Sequence, residues 1–432
     1  SIQSDVAQQV VAAVAGTLEE SDREMLAAAP TEDSEAYDLY LQAREYHHQP
    51  AGGVEEMQSA EELYERALML DPEFALAHAA LSELHGGFYW LAVDPSPTRA
   101  EAQLKEAEAA LRLAPDLPEA HKAMGWYHYT QRDWPAAMEE YEVASRGMPS
   151  DLRLTQQIGF LHRRMGNWDR VFEAFDRATR IEPRNADVYT DLGGLTLQLV
   201  RRYEDAIRAY DRALTLAPHF HTAALERADT YRKLTGEADT LRATLKRLPE
   251  NHPGVRLYRI GLLFSDGKPD SVLQLLRSGE PTRDNSAGYS PASLTAARAH
   301  LMLGDSASAR AAFDSALVVL DSMITAAGDD WRPHASRGRA LAGLGQREEA
   351  LGEVQWLKAS RAYREDAFVS PLIGANVARI LAEIGEHEAA VDEIEGELAR
   401  PGFLTVDALR RSPSWDALRN NSRFQALLAG DE

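Results

Sequence analysis

The 432-residue chain carries a formal net charge of −22, a pI near 5.1 and 44% hydrophobic residues. The acidic balance argues against general nucleic-acid binding and against an anionic membrane surface as main partner, since both call for a basic footprint. There is no cysteine, which excludes disulfides, thiolate nucleophiles and cysteine-ligated metals, and no apolar run approaches the ~20 residues that span a bilayer.

The chain begins at Ser1 with neither a basic nor an apolar leader, which predicts a processed chain or a portion of a longer one. Ile2, Val6, Val10, Val14 and Leu18 then recur every four residues, the stripe of one amphipathic helix. Ser21 with Glu24 reads as a capping box for a short second helix, so residues 1–30 are expected to be N-terminal capping helices. A helix over 37–46 and a loop with Gly52 and Gly53 precede a helix bearing Ala60, Tyr64 and Ala67, stopped at Pro72. His78, Leu81 and His85 open the next pair, Ala107 and Ala110 close it before Pro115, and residues 90–98 read as an inserted loop.

From there the pattern is strict. Met124, Gly125, Ala137, Tyr141, Ala144 and Pro149 are matched 34 residues later by Ile158, Gly159, Val171, Phe175, Ala178 and Pro183. Leu192, Gly193, Ala206, Tyr210, Ala213 and Pro218 follow after a one-residue insertion near Val200. A glycine inside a helical period costs ~1 kcal/mol against alanine, a cost that makes sense where two helices must touch. The prolines stop each second helix, and Asp133, Asn167 and Arg202 occupy the turn inside each pair. One such pair cannot bury both of its faces, so neighbours must stack.

Residues 31–250 are therefore expected to form an N-terminal array and 251–290 an irregular or degenerate repeat, given the Pro, Gly, Asn and Ser at 249–254 and 278–291. Residues 291–400 form a C-terminal array with a spacing near 40, on Ala297, Gly338 and Ala378. Residues 401–432 are C-terminal capping helices bearing Leu409, Trp415, Leu418, Phe424 and Leu427. No alternating run suits a strand, so the fold class is all-α, a solenoid of helix-turn-helix repeats.

The repeat resembles the tetratricopeptide-repeat (TPR) family, whose signature is a large residue, a Leu-Gly-like pair, an aromatic, then Ala, aromatic, Ala and Pro at fixed offsets. The resemblance implies a right-handed superhelix that binds other polypeptides and performs no catalysis. The segments IQSDVAQQVVAAVAGTL, SEAYDLYLQARE and RRSPSWDALRNNSRFQALL are similar to the ends of the TPR region in large bacterial regulators. In those, a kinase, cyclase or winged-helix module and a TolB-like domain come first. That implies a sensory or interaction region, in a compartment left open, and forty arginines against six lysines suit a GC-rich bacterial genome.

Two constellations invite chemistry and are read as structural. His85, His128 and His162 share one slot of successive repeats, and His78 and His121 share another. These are packing positions, so half-buried structural roles are expected rather than metal ligation. Glu55–Glu56, Glu139–Glu140 and Glu348–Glu349 are neighbours on helices, point in different directions and read as solvated faces. No phosphate loop, HExxH or GxSxG pattern occurs. No enzyme activity, cofactor or metal is expected.

The TPR resemblance places positions 2, 5, 9 and 12 of each first helix in a concave groove. Those are Tyr37, Tyr40, Arg44 and His47, then Glu83, then Glu119, Lys122, Trp126 and Tyr129, then Arg153, Gln156, Phe160 and Arg163, with Arg232 further on. Tyr40, Arg44, Lys122, Trp126, Tyr129, Arg153, Phe160 and Arg163 are the candidate peptide-binding residues, because aromatics and arginines make most binding hot spots. Trp126 and Phe160 stand where chaperone-type TPR domains carry asparagine, which argues against a terminal-carboxylate clamp. The expected function is a protein-interaction scaffold for a peptide ligand with acidic and apolar residues. The alternative is a structural protein that self-assembles into oligomers or filaments through its ends.

Overall fold

The computed structural model describes residues 30–49, 53–91, 93–250, 252–278, 283–285, 288–327 and 330–430, so the N-terminal capping helices expected over 1–30 lie outside the described residues. The chain divides into two compact units, Ser1–Pro149 and Ser150–Glu432. That division falls inside the stretch read from the sequence as one array over 31–250, at Pro149, and away from the irregular 251–290 segment.

The first unit holds three helical pairs among its described residues: α1 (Ser34–His47) with α2 (Val54–Leu70), α3 (Ala75–Trp90) with α4 (Pro97–Leu113), and α5 (Pro118–Thr130) with α6 (Trp134–Gly147). Local chemistry fixes their ends. Asp33 and Ser96 accept N-terminal amide bonds of α1 and α4, and Pro97 and Pro118 start α4 and α5 where no N–H is needed. The loop expected over 90–98 is shorter, because Trp90 ends α3 and Pro97 begins α4. Ala60, Tyr64, Ala67, Ala137, Tyr141 and Ala144 are fully buried. A methyl group on Gly125 would lie 2.5 Å from the Tyr141 ring, which is why this helical glycine is present.

The second unit continues with α7 (Leu152–Arg164) and α8 (Trp168–Ile181), then α9 (Ala186–Leu192) and α10 (Tyr203–Leu216). The one-residue insertion read from the sequence takes the form of a π-helical turn, Gly193–Leu197, directly after α9. α11 (His221–Thr235) with α12 (Asp239–Arg247) and α13 (Pro253–Ser265) with α14 (Pro269–Leu275) follow. The irregular segment thus contains a helical pair, and after it an antiparallel hairpin of β1 (Arg283–Asn285) and β2 (Gly288–Ser290). Regular pairing resumes with α15 (Ala292–Met302) and α16 (Ser306–Ala327), then α17 (Trp331–Leu344) and α18 (Arg347–Ala359). The 22-residue α16 and the short α19 (Arg361–Glu365) account for the longer spacing. α20 (Ser370–Glu383) pairs with α21 (His387–Ala399), and α22 (Val406–Arg411), a 3₁₀ turn (Pro413–Leu418) and α23 (Ser422–Ala429) close the chain. Leu409, Trp415, Leu418 and Phe424 are fully buried there, in one core with Ile373, Val377 and Ile380 of α20.

From α5 onward the turn inside each helical pair carries one residue with positive φ. Gly166, Gly236, Gly267, Gly304, Gly345 and Gly385 supply it freely, whereas Arg132 (φ 60°) and Arg201 (φ 59°) adopt it with a side chain attached. Among the described residues no helix is long and apolar enough to cross a membrane.

Candidate functional site

In the first unit the first helices α1, α3 and α5 carry the predicted groove residues. Tyr40 is largely core: its ring packs 5.0 Å from Phe74 and 5.9 Å from Tyr64, and the Arg44 guanidinium lies 5.7 Å above it. Burial, with Glu119 and Glu83 behind it and Arg44 opposing, pushes the Tyr40 hydroxyl up to about 12, so it stays protonated. Lys122 is buried with its ammonium 3.3 Å from the Glu83 carboxylate. The cation expected to select acidic ligands is therefore already neutralised by the neighbouring first helix, which corrects the basic character read from the sequence for this face.

The aromatics converge. Trp126 stacks on Tyr129 at 5.1 Å and 22°, Trp90 meets both rings edge-on at 6.0 and 5.1 Å, and Trp134 closes the cluster behind Tyr129. Arg132 lies 5.9 Å from Trp90. Gly86 permits this arrangement, since a methyl group there would overlap the Trp126 indole nitrogen and Gln103. Tyr129 and Trp134 are buried, Trp90 and Trp126 remain half-exposed, and Leu91 and Val93 are exposed immediately after Trp90.

A cleft of about 510 Å³ on the same unit is lined by Glu61, Glu65, His78, His85, Arg99 and Glu106, among others. Arg99 binds Glu61 and Asp94 and donates to His85 Nδ1 at 2.8 Å. Burial and the Arg99 charge push His85 down to about 4. Burial raises Glu106, but its bonds from His78 and Lys105 outweigh that and hold it at about 2. The histidine slots are structural ties: His78 bridges Glu106 and the Pro72 carbonyl, His121 bridges Glu140 and the Pro115 carbonyl, and Tyr189 reaches the Pro183 carbonyl in the same place. Glu140 is thereby a histidine partner rather than a solvated acid. Glu139, Glu348 and Glu349 are exposed as expected.

In the second unit the same face of the first helices is filled by the chain's own C-terminal region. Arg163 is 4% exposed; it donates to the Leu195 carbonyl at 3.0 Å and its guanidinium lies 3.9 Å from the Phe368 ring and 4.8 Å from Phe160. Arg164 forms a 2.9 Å ion pair with fully covered Asp366, and the Ala367 amide donates to the Arg164 carbonyl. Asp366 also accepts the amides of Phe368 and Val369. Beyond the π turn, the Gly402 amide donates to the Leu199 carbonyl, and Arg201 donates to the carbonyls of Glu397 and Leu404. Arg232 holds Asp229 at 2.6 Å and Asp407 at 3.5 Å. Arg153 is exposed and Phe160 half-exposed. Gln156 donates to Asp191, whose carboxyl burial pushes up to about 7 against the pull of Arg163.

The eight residues read as one strip are thus divided. Tyr40, Arg44, Lys122, Trp126 and Tyr129 belong to the first unit, and Arg153, Phe160 and Arg163 to the second, where Arg163 contacts the chain's own Phe368. The sequence reading passes over three arginines, Arg298, Arg339 and Arg379. Each directly follows the small helix-contact residue of its repeat (Ala297, Gly338, Ala378), the slot that Trp126 and Phe160 fill after Gly125 and Gly159. That shared slot is the signal that finds them.

These pairs have the TPR fold. An αL turn joins the two helices, a small residue on the first meets an aromatic on the second, and a proline follows the second. No protein-family model matches the chain, and no curated protein does. Its structure is similar to TTC0263, a thermophilic TPR protein of Thermus thermophilus, at 15% identity over 45% of this chain and 98% of that one (TM-score 0.39). It is also similar to Pseudomonas aeruginosa pilF, at 22% identity over 51% and 93% (TM-score 0.38). Human IFIT1, solved as a dimer with m7Gppp-AAAA, matches at 16% identity over 82% and 75% (TM-score 0.44). The fold assignment rests on the repeat geometry.

Proposed function

We propose that this chain is a non-catalytic protein-interaction scaffold that holds a peptide segment on the first-helix face of its first unit. The observation that carries this reading is the aromatic cluster of Trp90, Trp126 and Tyr129. Two half-exposed indoles are fixed in orientation by a buried tyrosine and by Gly86, and so offer contact area at little further entropic cost. Arg44 is the exposed cation on the same set of helices, whereas Lys122 is compensated by Glu83. The ligand is therefore an apolar, aromatic-rich segment, with acidic character as a secondary preference. The similarity of the end segments to bacterial regulators supports a regulatory setting.

The test is selection of segments from a peptide library on the immobilised chain, followed by titration of the winners against Trp126→Ala and Arg44→Ala. Trp126→Ala should weaken binding by about 2 kcal/mol or more, the size of a buried aromatic hot spot, with helix content unchanged. Selected peptides that bind Trp126→Ala as tightly as the parent chain would overturn the assignment of the site.

A further inference from the structure

The second unit shows how a first-helix face of this chain grips a polypeptide, because its own later segments are seated there. The turns after α5, α7 and the π turn share one geometry. In each, the amide of the positive-φ residue (Arg132, Gly166, Arg201) donates to the carbonyl three positions back, and the next amide reaches back five. The carbonyl two positions before the positive-φ residue takes no part in the turn; these are the carbonyls of Thr130, Arg164 and Leu199. The three are spaced 34 and 35 residues apart.

Two of these carbonyls accept a backbone amide from the returning chain. The Ala367 amide donates to Arg164 and the Gly402 amide to Leu199, both at 2.8 Å. The donors are 35 residues apart, like their acceptors, and each opens the same short pattern. Ala367, Phe368 and Val369 match Gly402, Phe403 and Leu404: a small residue, phenylalanine, an aliphatic residue. The first must be small because it passes close to the turn, the Ala367 methyl lying 3.3 Å from where a side chain on Gly166 would begin. Phe368 lies 3.9 Å from the Arg163 guanidinium and meets the Phe403 ring edge-on at 5.8 Å. Arg201 then donates to the carbonyl of the aliphatic Leu404 at 3.3 Å.

In the first unit the corresponding carbonyl, that of Thr130, receives no backbone amide among the described residues, a cost that an incoming donor would remove. The Thr130 hydroxyl is engaged inward with Gln103 and the Tyr127 carbonyl, while Gln131 and Arg132 beside it are half-exposed. Arg132 has the slot and the conformation of Arg201 and lies 5.9 Å from the Trp90 ring. Tyr129 and Trp126 hold the slots of Arg163 and Phe160, 34 residues earlier. The place that Phe368 takes in the second unit is therefore floored in the first by the aromatic cluster.

We propose that the first unit takes a partner segment built like these two: a small residue, an aromatic, then an aliphatic residue. This rests on the scaffold reading and names its ligand. The amide of the small residue donates to the Thr130 carbonyl, the aromatic lies against Trp126 and Trp90, and Arg132 donates to the carbonyl of the aliphatic residue. Backbone pairing at Thr130 and Arg132 sets the register of the segment, which ring contacts alone would leave loose.

The experiment titrates the full chain by calorimetry with the peptide ARPGFLTV, the chain's own Ala399–Val406. The peptide should bind, and replacing its glycine by N-methylglycine, which deletes one amide donor, should weaken it about tenfold or more. Replacing its phenylalanine by alanine should weaken it by a similar factor. Arg132→Gly should also lose about tenfold and should melt no lower than the parent, because glycine suits the positive φ there, so lost binding is not confused with lost folding. Equal affinity of the glycine and N-methylglycine peptides, or no binding of the glycine peptide, would overturn the proposal. Library-selected peptides that lose affinity in Trp126→Ala but lack the small, aromatic, aliphatic pattern would overturn it too, while leaving the scaffold reading standing. Binding of the glycine peptide that Trp126→Ala does not alter would place the seat away from the aromatic cluster and overturn both.

Discussion

The two units build the same first-helix face and use it differently. In the first unit the slot after the helix-contact glycine holds Trp126, which stays half-exposed beside Trp90 and Tyr129. In the second unit the neighbouring groove residue Arg163 is sealed under Phe368 of the chain's own later segment, and Arg164 is locked to Asp366. What decides between an open and a filled face is therefore whether later chain returns to it. The return in the second unit is anchored by buried charge, by the backbone hydrogen bond to the Leu199 carbonyl and by the Arg201 guanidinium donating to two carbonyls, just past the π turn.

The largest effect should come from breaking that anchor. Asp366→Ala leaves Arg164 buried without its partner and removes two amide acceptors, a loss of about 3–5 kcal/mol for a buried pair. Hydrogen exchange should quicken across 150–235 and 366–411 while residues 34–147 keep their protection. Equal loosening of both units would show that the closure is not local to the second.

The helix-contact glycines sharpen the comparison at the next scale. A methyl group on Gly125 meets the buried Tyr141 ring at 2.5 Å, whereas on Gly159 it meets the Ala174 methyl at 3.1 Å. Gly125→Ala should therefore destabilise by about 1–3 kcal/mol through overpacking. Gly159→Ala should come out near neutral, the mild crowding offset by the ~1 kcal/mol gain in helix propensity. Gly159→Leu should cost about 1–3 kcal/mol, because a larger side chain has nowhere to go beside Phe175. Thermal melts of the three variants give the ranking.

The smallest separable effect is in pH, and it has opposite sign in the two units. In the first, His85 titrates near 4 when folded against 6.5 in the open chain, so stability falls as pH drops from 6.5 towards 4. Glu106, held near 2 against 4.5, adds a further loss between pH 4.5 and 2. In the second, Asp191 stays protonated up to about 7 against 3.8 when unfolded, so its contribution falls as pH rises from 3.8 to 7. Hydrogen exchange read separately over 75–113 and 152–192 at pH 5 and 7 should show the first region better protected at 7, and Asp191→Asn should abolish the pH dependence assigned to the second.

Much of this was legible in the sequence because a TPR pair advertises itself locally. Gly125, Tyr141 and Pro149 each answer to a contact within one repeat, and the insertion near Val200 is visible as a break in the count. Leu409, Trp415, Leu418 and Phe424 stand out past the last repeat as apolar residues with a face to cover, and all four are fully buried. The compensation of Lys122 by Glu83 was not legible, since it depends on which helices become neighbours 39 residues apart. Nor was the return of 366–411, because Asp366 and Arg164 are 202 residues apart and no period links them. The arginines at 298, 339 and 379 were legible by slot, since each directly follows the small helix-contact residue of its repeat, where the earlier repeats carry Trp126 and Phe160.

The most direct test of the account compares Trp126→Ala with Phe160→Ala for affinity towards library-selected peptides, with folding checked by circular dichroism. The two residues occupy the same repeat slot, one on the open face and one beside the filled one. The account predicts that Trp126→Ala loses about tenfold or more in affinity, a hot-spot loss, while Phe160→Ala binds like the parent chain. Loss of binding in Phe160→Ala with Trp126→Ala unaffected would contradict it.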